Sequence, residues 1–569
     1  MKFNQESWIN IGKYFLLFFY FSAVYQSLCF IFDISGFIGL REAFYMNFLW
    51  LIPILIFQKY SKQIAAAIGV FLWLASLPSL CYFLLYNQEF SQSVIYIIFE
   101  SNIVEGTEFF KTYFVWWLIP AIVIYSIIPY YFWKSLKNIN IHINKTLILI
   151  PLSLLIVTKT FAKLYIVGDT SMQRAVIKQI DKMQAATPWN LVLGYIAYKE
   201  VLANMEELLT QNSNLPPVEN LKNLSIEEEN TLVLVIGEST NRNRMSLYGY
   251  KRDTTPRLNS IKDELVVFKN VYSPRPYTIE VLQQALTFAD EKNPDLYLTK
   301  VNLLNIMKQA GYKTYWITNQ QTQTQRNTML TTFSKIADEQ IYLNNNRRQN
   351  SSSYDEVVLE PFNKVLNDTL TKKKFIVVHL LGTHSRYDYR YPENFAKFDG
   401  LKVSPLLNEK QTNSYNSYDN AVYYNDYVVS NLISSVKALN TSASLLYLSD
   451  HGEEVFDEVN LEKMGRNEGA PTSAMYSVPF IIYGNKKWQE SNNISKLKTY
   501  TNRLYSSSNL LYTFSDFAKL DFKDLDLSKS IISESFEQKP VFIGDPYNKA
   551  KLRDLVKTPF ETKTIKIGA

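Results

Sequence analysis

A chain of 569 residues leaves room for roughly two to four domains. Its net charge of +6 is mild for that length and no basic stripe is present, so nucleic acid is excluded as an expected partner. Both cysteines, Cys29 and Cys81, sit inside apolar runs, which excludes a disulfide framework from the remainder of the chain. Hydrophobic residues make up 47% of the sequence, yet mean hydropathy is only −0.11, so the apolar residues must be unevenly spread.

They concentrate before residue 167. Five stretches approach spanning length: about Ile11–Phe32, Leu40–Phe57, Ile64–Tyr86, Tyr113–Trp133 and Thr146–Val167. The second is short, and Lys159 and Lys163 in the fifth are expected to snorkel. The first lacks a small-residue cleavage site and another apolar run soon follows it, unlike a signal peptide. Lys2, Lys13, Lys59, Lys62, Lys134, Lys137 and Lys145 fall on one set of loops. The opposite loops carry Arg41 and Lys111 beside Asp33, Glu89, Glu100, Glu105 and Glu108. The positive-inside rule then puts the N-terminus in the cytoplasm and everything after about residue 167 on the outer face. Between spans three and four, Phe90, Val94, Ile97, Ile98 and Phe99 suggest an amphipathic interfacial helix near 90–110. Asn102, Glu105 and Glu108 follow it and could hold an ammonium head group, or simply solvate a helix end.

Residues 168–212 show helical periodicity through Met172, Val176, Ile180 and Met183. The stretch 212–230, with its Pro-Pro pair and Glu run, reads as linker. The expected organisation is a transmembrane domain (1–167), connecting helices and linker (168–230) and a soluble domain (231–569). In the last, β-rich runs begin at 231, 265, 312, 374, 444 and 478 and alternate with helical patterns such as Thr299–Ala310 and Asn416–Leu439. Several runs are continuously apolar, as in strands buried on both faces of a mostly parallel sheet. This is the layered α/β class, in which ligands bind beyond the carboxyl ends of the strands.

At those ends stand Gly237-Glu238-Ser239-Thr240, Ser273-Pro274-Arg275-Pro276-Tyr277-Thr278, Gly382-Thr383-His384 and Ser449-Asp450-His451-Gly452. Zinc accepts carboxylate and imidazole ligands and, in catalytic sites, keeps one position open. Glu238, Asp450 and His451 could supply three ligands, and a Thr hydroxyl in the fourth position would lose its proton more easily. On spacing alone Thr278 could equally be a turn residue. His379 lies within an apolar strand and reads as a core histidine, whereas His384 on the following loop is better placed for chemistry. His142 falls in a cytoplasmic loop.

The segments GESTNRNRMSLYGYKRDTTPRL (237–258), SPRPYTIEVLQQALTF (273–288), WITNQ (316–320), HLLGTH (379–384), YDN (418–420) and SDHGEE (449–454), with the five-span anchor, resemble the phosphoethanolamine transferases of Gram-negative bacteria. That family belongs to the alkaline phosphatase and sulfatase superfamily. The resemblance implies an inner-membrane, multi-pass enzyme with its catalytic domain in the periplasm. It implies Glu238, Thr278, Asp450 and His451 around one zinc ion, with a second ion left open, and Thr278 as nucleophile. It implies His384 at a second metal or the acceptor side, and Asn102 and Glu108 near the ethanolamine head group. Arg326 and Asn319, at the WITNQ strand end, are further substrate-binding candidates. The donor would be phosphatidylethanolamine and the acceptor lipopolysaccharide, at core or lipid A, or another periplasmic molecule. The protein would act as a monomer.

The chain departs from the lipid A-modifying branch in two ways. It lacks soluble-domain disulfides, and it carries Gly465-Arg466-Asn467-Glu468 where that branch has a further histidine. The SPRPYTIE and GRNE segments are closer to the branch acting on the lipopolysaccharide core. Three rival readings are a sulfatase or phosphodiesterase, a phosphoglycerol transferase and an inactive scaffold. A sulfatase needs a Cys or Ser in a C/S-x-P-x-R context, which Ser273-Pro274-Arg275 does not match. An inactive scaffold predicts gaps in the metal set, and there are none.

Overall fold

The computed structural model describes residues 5–32, 37–86, 90, 94–95, 115–139, 179–180, 182–212, 215–321, 333–344, 354–458 and 464–560. The chain divides into two compact units, Met1–Val201 and Leu202–Ala569. The expected fifth span lies outside the described residues, as do Asn102, Glu108, Arg326 and His142 and most of the interfacial segment.

The first unit is helical. It contains α1 (Gln5–Ile31), α2 (Ile38–Met46), α3 (Leu51–Ile56), α4 (Ser61–Tyr86), α5 (Leu118–Lys134) and the start of α6 (Trp189–Asn212). Three stretches are long and apolar enough to cross a membrane: Trp8–Ile31, Ile38–Ile56 and Gln58–Leu85. The second is not one α-helix, because a 3-10 turn at Asn47–Trp50 joins α2 to α3. Asn47 is buried there, and its amide donates to Ala43 O (2.8 Å) and Ser22 Oγ (3.1 Å). At 17 residues, α5 is only about 26 Å long, short of the roughly 30 Å hydrocarbon core.

Helix α1 packs against α2, α4 and α5 around Tyr14, Leu17, Phe18, Leu72 and Tyr125. Outside this core, Val70, Phe71, Leu74, Ile124 and Ile128 are exposed, as suits helices surrounded by lipid. One end of the bundle gathers lysines. Lys62 Nζ donates to Lys134 O (3.0 Å) and lies 5.3 Å from the Trp133 ring centroid, while Tyr14 donates to Lys137 O (3.0 Å). Loops assigned to one membrane face by charge therefore do share one end.

The second unit is built on a seven-stranded sheet. Its strands are β1 (Asn230–Gly237), β2 (Val266–Val267), β3 (Lys313–Gln321), β4 (Glu339–Asn344), β5 (Lys373–His379), β6 (Ser442–Ser449) and β7 (Phe480–Gly484). Their order is β2-β7-β6-β1-β5-β3-β4, and β7 alone runs against the rest. Every residue of β1 and β6 is buried, which explains why both read as unbroken apolar runs.

The run at 265 does not form one strand. Val266–Val267 pairs in the main sheet, and Asn270–Tyr272 pairs instead with Leu504–Ser506. Lys269 N–H donates to Thr501 O at the point of divergence (2.8 Å). The expected linker is also partly structured: Lys222–Asn223 pairs antiparallel with Leu520–Asp521.

Helix α7 (Thr278–Ala285) follows the 270–272 strand, and α8 (Glu409–Lys437) covers the sheet. A buried charge network ties α8 to the loop after β1. Arg244 contacts Asp419 (Nη2–Oδ1, 2.8 Å) and Asp457 (3.1 Å) and lies 3.4 Å from the Tyr415 ring centroid. Arg252 takes the other Asp419 oxygen (2.7 Å) together with Tyr250 (3.0 Å). Removing one partner of a buried pair leaves an uncompensated charge. Arg244→Ala should therefore destabilise the second unit by about 3–5 kcal/mol. Thermal unfolding of the detergent-solubilised chain checks this, and an unchanged Tm would contradict it.

Candidate active site

Strand register assembles the site. Gly237 pairs with Ser449, so Glu238 and Asp450 emerge side by side from adjacent parallel strands. Ile236 pairs with His379, which brings the 380–384 loop to the same edge. Asp450 N–H donates to Gly237 O (3.0 Å), and Thr383 N–H donates to Glu238 O (2.9 Å). Gly382 has φ +55, and a Cβ there would stand 2.6 Å from Glu238 O, so both conformation and contact require glycine. Ser239, at φ +59, is a non-glycine residue in the left-handed region beside the site. It is held by Asp450 Oδ1 on its N–H (3.1 Å) and by Tyr418 Oη, which donates to its carbonyl (2.7 Å).

Glu238, Thr278, Asp450 and His451 are all buried. His451 Nε2 stands 3.2 Å from Glu238 Oε1, 3.4 Å from Asp450 Oδ2 and 3.4 Å from Thr278 Oγ1. Thr278, the first residue of α7, donates to Glu238 Oε2 (2.9 Å). Burial alone would raise the Glu238 pKa, but the cationic charge of His451, His384 and Arg466 overrides it and holds Glu238 well below the usual range. Burial and then the Glu238 charge push Asp450 up to about 7. For His451, burial works against the charged form, but Asp450 and Glu238 prevail and raise its pKa.

This set fits a cation. Tetrahedral ligands about 2.0–2.1 Å from zinc stand roughly 3.3 Å apart, close to the three separations at Nε2. Asp450 Oδ2 is buried without a hydrogen-bond donor. His451 Nδ1 lies 2.8 Å from Gly452 O, a contact that places the proton on Nδ1 and leaves the Nε2 lone pair for a metal. The four atoms offer oxygen and nitrogen only, the donors zinc accepts in catalytic sites.

The other predicted residues are placed differently. His384 is buried on the 380–384 loop, with Nδ1 3.4 Å from Ser385 Oγ and its carbonyl accepting from Arg390 Nε (3.2 Å). Asn319 donates to Asp355 (2.9 Å), which also accepts from the N–H groups of Leu381 and Gly382 (2.8 and 2.7 Å). The residue of that strand end whose amide reaches Glu238 is the next one, Gln320, at 3.3 Å. His379 is a core residue beside Trp316. Its Nε2 has no hydrogen-bond partner, and burial lowers its pKa to about 4, so it stays neutral.

Two contacts escape sequence reading. Arg466 reaches the cluster, with Nη1 2.8 Å from His451 Nε2. Arg275 pairs with Glu468 through two hydrogen bonds (Nη2–Oε2, 3.0 Å), joining the SPRPYT segment to the GRNE segment. Their shared occurrence was the available signal.

Comparison with known proteins places the chain among relatives of known class. Residues 230–520 match the Sulfatase family. Phosphoethanolamine transferase EptC of Escherichia coli K12 is 45% identical over 97% of both chains. The crystal structure of the C-terminal periplasmic domain of Escherichia coli EptC, complexed with Zn, is 52% identical, with a TM-score of 0.59 over 62% of this chain and 100% of that one. The integral membrane phosphoethanolamine transferase EptA of Neisseria meningitidis matches 91% of this chain and 98% of its own (TM-score 0.61). At 19% identity it indicates a common fold alone.

A proton and a metal compete for His451 Nε2. Because its pKa is raised, the ring keeps its proton to higher pH than a free imidazole, and metal affinity must fall as pH falls. Chelator competition should show zinc bound at least roughly tenfold more tightly near pH 8 than near pH 6. Equal affinities would contradict a site that depends on His451.

Proposed function

The chain belongs to the phosphoethanolamine transferases of the sulfatase family, and from that membership we propose that it moves phosphoethanolamine from phosphatidylethanolamine to lipopolysaccharide through a covalent adduct on Thr278. The observation that carries this reading is the Thr278 hydroxyl itself, 2.9 Å from Glu238 Oε2 and 3.4 Å from His451 Nε2 in a buried cluster.

Glu238, Asp450 and His451, with Thr278 as fourth donor, would hold a zinc ion, which eases loss of the hydroxyl proton and offsets charge on the phosphoryl oxygens. The zinc-bound domain of the 52% identical relative supports that choice of metal. Thr278 Oγ1 gives up its proton to solvent and bonds to phosphorus. The phosphorus–oxygen bond to diacylglycerol breaks, and the departing oxygen takes a proton, with His384 as the acid of this reading. The free N–H groups at the start of α7 favour negative charge beside Thr278. In the second half, an acceptor oxygen attacks phosphorus as its proton returns to His384, the bond to Thr278 breaks, and the Thr278 oxygen regains a proton from solvent. Two successive displacements give ping-pong kinetics.

Asn102, Glu108, Arg326 and Asn319 are the donor-contacting side chains in this proposal. The acceptor is lipopolysaccharide, at the core rather than lipid A. The likeness of the SPRPYTIE and GRNE segments to that branch supports this choice. The anchor is five-spanning and the catalytic unit periplasmic, as in the domain named for the E. coli relative. The enzyme acts as a monomer at the inner membrane. A tethered catalytic unit suits a donor whose diacylglycerol tail stays in the bilayer.

Mass spectrometry of the chain after incubation with phosphatidylethanolamine should find a phosphoethanolamine adduct on the peptide holding Thr278. Thr278→Ala should abolish both adduct and transfer. An adduct persisting on the variant would rule out Thr278 as nucleophile.

A further inference from the structure

Arg466 is mostly buried, with its guanidinium on the metal-binding face of the cluster. Its Nη1 is 2.8 Å from His451 Nε2 and 3.7 Å from Glu238 Oε1. The same Nε2 is 3.4 Å from Thr278 Oγ1, so the guanidinium and the nucleophilic hydroxyl flank one atom. A metal ion must take the Nε2 lone pair, and two cations cannot share it. Arg466 therefore loses this acceptor when the metal binds. It does not lose its tether. Glu453 Oε2 is buried without a hydrogen-bond partner and lies 3.8 Å from Arg466 Nε. The guanidinium stays beside the cluster with its outer N–H groups released.

Charge balance shows what those groups meet. Glu238, Asp450 and Glu453 are three carboxylates around the site. A divalent ion and Arg466 together neutralise them. Without Arg466 the loaded site would lose one of the positive charges that draw a phosphodiester, leaving only His384 beyond the metal. The guanidinium offers a rigid planar fork that matches two oxygens of a phosphoryl group. Resting on the proposed transfer reaction, we infer that Arg466, anchored by Glu453, is the phosphoryl-oxygen clamp of the active site, gripping the non-bridging oxygens of the phosphoethanolamine group beside Thr278.

A purely structural role, in which Arg466 only balances buried charge, makes a different forecast. The test uses the zinc-loaded full chain in detergent, with inorganic phosphate as probe, and reads zinc content, Tm and phosphate affinity by calorimetry. Arg466→Gln should retain zinc and lose phosphate affinity on the order of tenfold to hundredfold. Arg466→Lys keeps the charge without the fork, and should match the parent in zinc and Tm while still binding phosphate at least several-fold more weakly. Phosphate affinity unchanged in Arg466→Gln would overturn the clamp. So would loss of zinc in Arg466→Gln with full recovery of zinc and phosphate affinity in Arg466→Lys, which marks charge balance alone. Thr278→Ala in the same assay separates the two readings. It should still bind phosphate, because the clamp does not need the nucleophile, whereas the adduct does.

Discussion

Two carboxylates and an imidazole buried around one nitrogen set the terms for this active site. His451 Nε2 has Glu238 and Asp450 oxygens at 3.2 and 3.4 Å, and neither carboxylate can stay charged in a dry interior without a cation. Much of the local architecture exists to hold that arrangement. Parallel pairing of β1 with β6 sets the two acids side by side. The left-handed Ser239 turns the chain so that its amide caps Asp450. Gly382 lets the 380–384 loop approach the Glu238 backbone where no side chain would fit. A proton on His451, the guanidinium of Arg466 or a metal ion can each supply the positive charge, and competition among the three links metal binding to pH.

Much of this was legible in the sequence. Continuous apolar runs marked the buried strands, and acids and histidines directly after them marked the sheet edge. What local pattern cannot reveal is return of the chain from a distance. Thr278 lies forty residues beyond Glu238, and its hydroxyl matters only because α7 begins against the cluster. Arg466 follows His451 by fifteen residues and arrives by tertiary folding. Gln320 rather than Asn319 reaches Glu238, a one-residue difference that follows from which face of β3 points to the site. The edge strand β4 carries only Ile341-Tyr342-Leu343 as apolar residues, too short a run to mark a strand, and most of it is at least partly exposed. The run at 265 looks like one strand in the sequence because hydropathy does not show where a chain changes sheets.

The long motif after β1 divides into two tasks. Glu238 and Ser239 belong to the site. Arg244, Tyr250 and Arg252 belong to a buried network with Tyr415 and Asp419 on α8. Most of the sequence likeness in that segment therefore reports on a scaffold that fixes the loop. The proposed chemistry rests on a few residues at its head. The Arg275–Glu468 pair works similarly, tying the segment that carries Thr278 to the segment that carries Arg466. The proposed nucleophile and the proposed clamp thus lie on segments that this ion pair joins.

X-ray absorption at the zinc edge of the metal-loaded full chain tests the central claim most directly, that one acid–imidazole cluster both binds the metal and receives the Thr278 hydroxyl. The account predicts a four-coordinate first shell of oxygen and nitrogen with a single imidazole, losing one oxygen scatterer or exchanging it for water in Thr278→Ala. A sulfur ligand, or two or more imidazoles in the shell, would contradict it.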